Sequence, residues 1–353
     1  MSDGRLARCI LAILSLAMVA SAGCSPEGAR PLTVVDWGGS SQDAQRRAYW
    51  IPFSKATGIP LREASWHGGV GVIRARIKSG DDSWDVVSVE TEDLILGCQE
   101  GLYEPMDWAR LGGRDAFIDS AVSDCGVGSE EWTYLISYDA DRFSRGGPQT
   151  WADFWDVGRF PGKRGMRKTP KYTLEFALLA DGVPPDRVYP LLRTRAGVDR
   201  AFRKLNQLKP WIVWWTSITQ VPGLLTTGKV AMSVTSPGRM VIVNRTQNRH
   251  FRLSWHDNIY AVDYWVVLKN SPRKPEAMEL IRYMSLPQSQ ERLAVLIPTG
   301  VTNKAAANAL PARLRRDTPS DPENMTDALE LDGDFWVEYG DQLTQRFNAW
   351  VAR

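Results

Sequence analysis

Histidine is scarce in this chain. Only three occur among 353 residues, at positions 67, 250 and 256. So few argue against Ser-His hydrolysis and against a histidine-rich metal centre. No Gly-x-Ser-x-Gly elbow occurs, which removes the most recognisable hydrolase signal. Cysteine is rare too, four in all, and neither "GCQEG" around Cys98 nor "DCGVG" around Cys125 carries a second ligand at metal-site spacing. No long Lys/Arg block is present. The 43 basic residues nearly balance 41 acidic ones, for a net charge of +2, so nothing points to nucleic acid. No two tyrosines are adjacent. Beyond the first 24 residues there is no apolar run of the ~18 residues that a membrane-spanning helix needs. No metal or other cofactor is expected.

What is present fits an exported globular protein. Apolar residues make up 43% of the chain and charged residues 24%, an ordinary balance for a packed fold. Arg5 and Arg8 precede the short apolar run Cys9 to Ala22, the pattern of an export signal. The run ends in "SAGC". Small residues before Cys24 resemble a lipidation site, although Ser21 stands where Leu is usual; the competing reading is simple cleavage after "ASA", Ala20 to Ala22. The expected location is therefore periplasmic, with membrane contact only through a lipid on Cys24. If Cys9 is removed and Cys24 lipidated, Cys98 and Cys125 remain in an oxidising compartment. A disulfide between them is the natural reading, worth ~3 kcal/mol by chain entropy. Fifteen tryptophans is unusual; besides filling cores, Trp is a common platform in clefts for polar ligands.

After a tether, residues 25–31, β-branched strands alternate with amphipathic helices. Strands are expected at Leu32 to Trp37, Leu61–Ser65 and Trp84 to Glu90, with helices from Ser40 to about Ala56, Gly68 to Gly80 and Glu92 to Gly101. This β-α-β-α-β rhythm predicts a mostly parallel sheet flanked by helices. A second α/β set follows. Its strands are expected at Thr133 to Phe143, Trp211 to Trp215 and Val230–Val234, and Tyr260 to Asn270 returns the chain. Helical stretches at Pro275 to Ile297 and a final amphipathic helix bearing Phe335, Leu343, Phe347 and Trp350 complete it. Chain crossings near 136–140 and 262–268 divide the fold into two hinged lobes. The expected division is residues 1–24 as signal peptide, 30–137 plus 266–353 as lobe 1, and 138–265 as lobe 2.

Several stretches carry a family likeness in order along the chain: "LTVVDWGGSSQDAQ", "WDVVSVETEDLILGCQEGLYEPMDW", "DCGVG", "TWADFWDVGRFPGKRGMRK", "TLEFALLADGVPPDRVY", "YAVDYWVVLKNSP" and "PTGVTNKAA". With these the chain resembles the periplasmic spermidine/putrescine-binding proteins of ABC importers over nearly all of residues 32–353. The resemblance implies a type II periplasmic-binding-protein clamshell. Such a protein closes on a small solute and delivers it to a membrane permease; it is expected to be a monomer and not an enzyme.

Ligands of open α/β sheets sit beyond the carboxyl ends of the strands. Trp37, Glu90, Trp215 and Arg239 fall at such ends, and Asp263 falls near the crossing. The resemblance implies that Asp263 binds an ammonium and that Trp37 is the aromatic of the first loop. Other acids of the polyamine pattern are missing: "GGSS" follows Trp37, Lys171 or Tyr172 replaces one acid, and Arg239 replaces another. An arginine fork beside a helix N-terminus suits a carboxylate. The expected solute is therefore a short ω-amino acid such as 4-aminobutyrate. Asp263, with Glu90, would take its ammonium. Arg239, with Ser236, Ser40 or the Gly38–Gly39 amides, would take its carboxylate. Trp37, Tyr172 and Trp215 would line its chain. The alternatives are a polyamine (putrescine or spermidine) binder, a lipoprotein that senses without delivering, and an exported carbohydrate- or peptide-acting hydrolase using Glu90 and Asp263 as its acid and base.

Overall fold

A computed structural model describes residues 30–143 and 146–353. The export segment, Cys24 and most of the tether lie outside the described residues. Pro31–Arg353 forms one compact unit.

Nine strands build the sheet: β1 Leu32–Asp36, β2 Leu61–Ser65, β3 Val86–Val89, β4 Val127–Asp139, β5 Arg164–Arg167, β6 Ile212–Trp215, β7 Met232–Thr235, β8 Phe251–Val267 and β9 Leu329–Glu330. Their order is β2-β1-β3-β8-β4-β7-β5-β6, with β9 pairing β8. The pairs β1/β2, β1/β3, β5/β6 and β5/β7 are parallel. Antiparallel pairing is confined to β4 and β8 and their contacts with β3 and β7. Two parallel α/β halves are thus joined through two long antiparallel strands. The β4/β8 register shifts between Gly128 and Glu130 and again between Tyr134 and Ile136. Such bulges bend a strand and increase its twist, which lets each strand leave one half-sheet and enter the other.

Each half has its own core. The first gathers Val34, Val35, Phe53, Val86, Val87, Phe117 and Trp265, among others. The second gathers Ile136, Trp151, Met166, Leu178, Leu205, Met232 and Phe251. β1 and β3 are buried throughout, as expected of strands covered by helices on both faces. The crossing strands lie earlier than expected on β4, around Glu130–Tyr134, and are much longer. β4 begins at Val127, before the expected Thr133, and β8 begins at Phe251, well before the expected Tyr260.

Three further differences have local causes. The helix after β1 starts at Gly39, with Gly38 in its N-cap position at φ 74°, and no side chain caps it. It passes through a wide π-helical turn at Arg46–Trp50 before continuing as Ile51–Thr57. The stretch Pro275 to Ile297 is two helices, Lys274–Met284 and Pro287–Leu296, because Pro287 lacks the N–H that would continue the first. The last helix, Gly333–Val351, places Phe335, Leu343 and Phe347 in the second core, whereas Val266 to Ile297 belong to the first. Residues 266–353 therefore contribute to both cores.

Cys98 and Cys125 form a disulfide with Cα atoms 6.0 Å apart. It ties the end of helix Thr91–Gln99 to the residues that lead into β4. Among the described residues no helix is long and apolar enough to cross a membrane.

Candidate functional site

A cavity of about 260 Å³ opens between the two cores. That is near the lower end of the ~300–1,000 Å³ common for small-molecule sites. It is walled by the loops after β1, β2 and β3, the stretch Glu130–Tyr134 with Asp263, the loops after β5 to β7, the segment Ile297 to Thr299, and Pro319.

The first wall is aromatic. Trp37 leaves the carboxyl end of β1 and stacks on Trp66 at 5.5 Å between ring centroids. Trp66 is fixed in turn by its Nε1–H, which donates to the Ser88 carbonyl at 3.0 Å. Gly68, at φ 84°, brings the next loop against the Trp37 ring; a Cβ there would meet the ring at 3.3 Å. Asp93 holds that loop by accepting from the Gly69 and Val70 amides at 2.8 and 2.7 Å. The Trp37 face is therefore preformed.

The floor is acidic. Glu130 on β4 pairs directly with Asp263 on β8. Side chains directly opposite on antiparallel strands are near neighbours, and like charges there repel. Both acids line the cavity and both are buried. One Asp263 oxygen accepts the Trp132 indole N–H at 2.7 Å, and Glu130 accepts the Thr299 hydroxyl at 2.8 Å. Burial, then Glu90 and Glu130, push the Asp263 carboxyl well above the usual range. Burial likewise raises Glu130. Beneath them, burial and then Glu130 push Asp36 up to about 7. A cation entering this floor would restore the charge these groups give up.

The second lobe supplies the positive pole. Arg239 lies in the first turn of helix Pro237–Gln247, whose N-cap position is Ser236; both residues face the cavity. Gly238 is required here, since a Cβ would lie 2.7 Å from the Pro298 carbonyl oxygen. The Arg239 guanidinium donates to Ser40 Oγ at 3.5 Å. Among the described residues no carboxylate lies within ion-pair distance of it. Burial lowers its pKa, and its charge in turn partly opposes the rise that burial imposes on Glu130 and Asp36. The two poles are thus close enough to sense one another. A half-buried guanidinium, a hydroxyl and a helix N-terminus are chemically suited to a carboxylate.

A second cation group sits beside the floor. Arg167 lines the cavity at the end of β5, with its nearest nitrogen 4.0 Å from Glu90. Lys171 donates to both Glu90 and Glu92. Burial opposes charge on Glu90, but Lys171 and then Arg167 outweigh it and hold its carboxyl down at about 2.

The structure places Trp37, Glu90, Ser236, Arg239 and Asp263 on the cavity. Ser40 and Gly39 stand beside the Arg239 guanidinium, and Ser41 is the serine on the wall. Glu90 faces the site already neutralised by Lys171 and Arg167. Tyr172 and Trp215 do not line it. Both are fully buried in the second core, edge-on to Tyr134 at 4.8 and 6.2 Å. They support the rings that do line it, because helix Thr173–Ala180 and strand β6 turn them inward. The loop after Trp215, Thr216 to Thr219, takes the expected place on the wall. Sequence reasoning missed Glu130, Trp132 and Tyr134, along with Arg167 and Thr299. The adjacent acids and aromatics in "SEEWTY" were the available signal.

Residues 48–326 match the bacterial extracellular solute-binding protein family. A gamma-aminobutyric acid-binding protein of Pseudomonas aeruginosa is 41% identical over 340 residues, 96% of either chain. Among solved structures, an ABC transporter substrate-binding protein from Bradyrhizobium japonicum is 31% identical with a TM-score of 0.83, covering 91% of this chain and 99% of its own. A GABA receptor is 30% identical with a TM-score of 0.81, covering 92% and 98%. The chain belongs to the bacterial extracellular solute-binding proteins, with the two-lobe clamshell fold of the periplasmic binders that serve ABC importers.

Proposed function

We propose that this protein captures a short ω-amino acid, 4-aminobutyrate fitting best, and hands it to the permease of an ABC importer. The observation that carries the reading is the cavity's polarity. Among the described residues Arg239 presents a half-buried guanidinium with no carboxylate at ion-pair distance, while Glu130 and Asp263 present two opposed buried acids. A solute with a carboxylate at one end and an ammonium at the other satisfies both poles, and its methylenes rest on Trp37. The gamma-aminobutyric acid for which the Pseudomonas relative and the GABA receptor are named supports the same choice.

The protein acts as a periplasmic monomer, a binder without turnover, and Cys24 anchors it to the membrane through a lipid. The mass of the mature N-terminus decides the last point: acylated Cys24 is expected, and an unmodified chain beginning at Gly23 would replace the anchor with free diffusion.

Isothermal titration tests the solute. At neutral pH 4-aminobutyrate should saturate one site, be recovered unchanged, and bind at least ~100-fold more tightly than putrescine or spermidine, a difference of about 2.7 kcal/mol. Equal or tighter binding of a polyamine would favour the second reading. That reading has one observation behind it: four acids (Glu90, Glu130, Glu131 and Asp263) line the cavity against two arginines.

A further inference from the structure

We infer that Lys171 is a specificity-determining residue: a tethered ammonium that fills a second cation site at the edge of the cavity and so excludes diamines. The inference rests on the reading above, in which the solute brings a single ammonium.

Glu90 follows β3 in the first lobe, in the N-cap position of helix Thr91–Gln99, and Glu92 lies in the first turn of that helix. Lys171 comes from the opposite lobe, in the loop between β5 and helix Thr173–Ala180. Its ammonium donates to both carboxylates across the cleft. The lysine side chain is 12% exposed, and the acids are 22% and 20% exposed. A half-buried pair of acids with an ammonium between them is a complete cation site, held by charge-assisted bonds. Here the cation belongs to the protein.

This site adjoins the solute. Glu90 itself lines the cavity. Of the charges around Asp263 it also acts most strongly on that carboxyl, ahead of Glu130. Truncating Lys171 would leave a hollow flanked by Glu90 and Glu92 that opens onto the Asp263 floor through Glu90. The cavity would then hold two acidic stations, the arrangement that suits an ammonium at each end of an alkyl chain. With Lys171 in place, the second ammonium of a diamine meets a like charge and finds both acids taken. Specificity of this kind works by exclusion, in addition to the attraction supplied by Arg239.

The loop geometry supports the assignment. Tyr172 follows at φ 73°, a left-handed conformation rare for a bulky residue, and its ring is anchored against Trp132 and Tyr134. The backbone that presents Lys171 is therefore fixed by aromatic packing, and the ammonium is aimed rather than free.

The test is titration of the wild-type protein and of Lys171→Ala with 4-aminobutyrate, putrescine and 1,5-diaminopentane. Lys171→Ala should raise the affinity for at least one diamine by tenfold or more, and the added substitution Glu90→Gln should abolish the gain. A folded Lys171→Ala protein that binds 4-aminobutyrate but takes both diamines within twofold of wild type would overturn the inference and leave the solute assignment standing. Failure of the wild type to bind 4-aminobutyrate would overturn the solute assignment; a diamine gain in Lys171→Ala would still support the second cation site. Should Lys171→Ala be too unstable to titrate, its refolding yield with propylammonium against propanol is the readout. A higher yield with the ammonium supports the inference, and equal yields overturn it.

Discussion

Arg239→Met should cost at least about a hundredfold in affinity for 4-aminobutyrate, while the unliganded protein melts near the wild-type temperature. Truncating one member of a buried, hydrogen-bonded charge pair costs ~2–5 kcal/mol, because the other charge is left buried without a partner. In the empty protein Arg239 has no carboxylate to lose among the described residues, and burial already weighs against its charge. Methionine keeps much of the volume and removes that cost, so stability is spared. Arg239→Lys should recover only part of the affinity, since an ammonium lacks the planar fork that meets a carboxylate with two bonds. The sign of the effect separates the two solute classes. If the true solute is a polyamine, removing a cation from the cavity strengthens binding. Calorimetry with both solutes on the one variant therefore distinguishes them, and unchanged 4-aminobutyrate binding refutes the carboxylate role.

Asp263→Asn should be as damaging and should also erase a pH dependence. Burial, Glu90 and Glu130 raise the Asp263 carboxyl well above its ordinary range in the unliganded protein. An ammonium favours the charged form, so binding expels a proton. Wild-type affinity should therefore rise with pH, by at most about a decade per unit, and level off once pH exceeds the unliganded value. The stability sign follows from the same shift. A carboxyl whose folded value is raised costs the fold nothing below its unfolded value; the cost grows as pH climbs from there towards the raised value. Solute relieves that cost. Its effect on the melting temperature should be larger at pH 8 than at pH 5. Calorimetry in phosphate and in Tris, whose ionisation heats differ, counts the proton directly. Asp263→Asn should bind about a hundredfold or more weakly and show a flatter pH profile. Equal proton release from both proteins would move the titrating group elsewhere, Glu130 being the nearest candidate.

What could be read from the sequence follows from the range of the interactions involved. β2 lies where its alternation puts it, and β1 and β3 differ from expectation by one or two residues at an end. Local pattern suffices for such strands. Trp37, Arg239 and Asp263 reach the cavity because strand ends and crossings are where open sheets leave room. Tyr172 and Trp215 look equivalent to Trp37 in sequence, yet their rings turn into the second core; which face a ring takes depends on the neighbouring helices. Glu90 marks the limit of local reading. Its partner Lys171 is 81 residues away, and nothing in "VETED" announces that its charge is already met. The hinge strand was lost for a different reason. "SEEWTY" lacks apolar alternation, and five of its six residues, 130–134, line the cavity, so part of the wall is built from residues that look least like strand.

β4 and β8 run unbroken from one half-sheet into the other, and Asp263 and Glu130 sit on them at the pivot. Points on a pivot travel least when the two halves swing, whereas Arg239 and Trp37 ride on opposite lever arms. If Glu130 and Asp263 take the ammonium as proposed, that receptor persists in the splayed form, ready before anything else is assembled. On that reading an incoming solute docks amine-first, and the swing of the arms brings the guanidinium and the indole onto a molecule already moored.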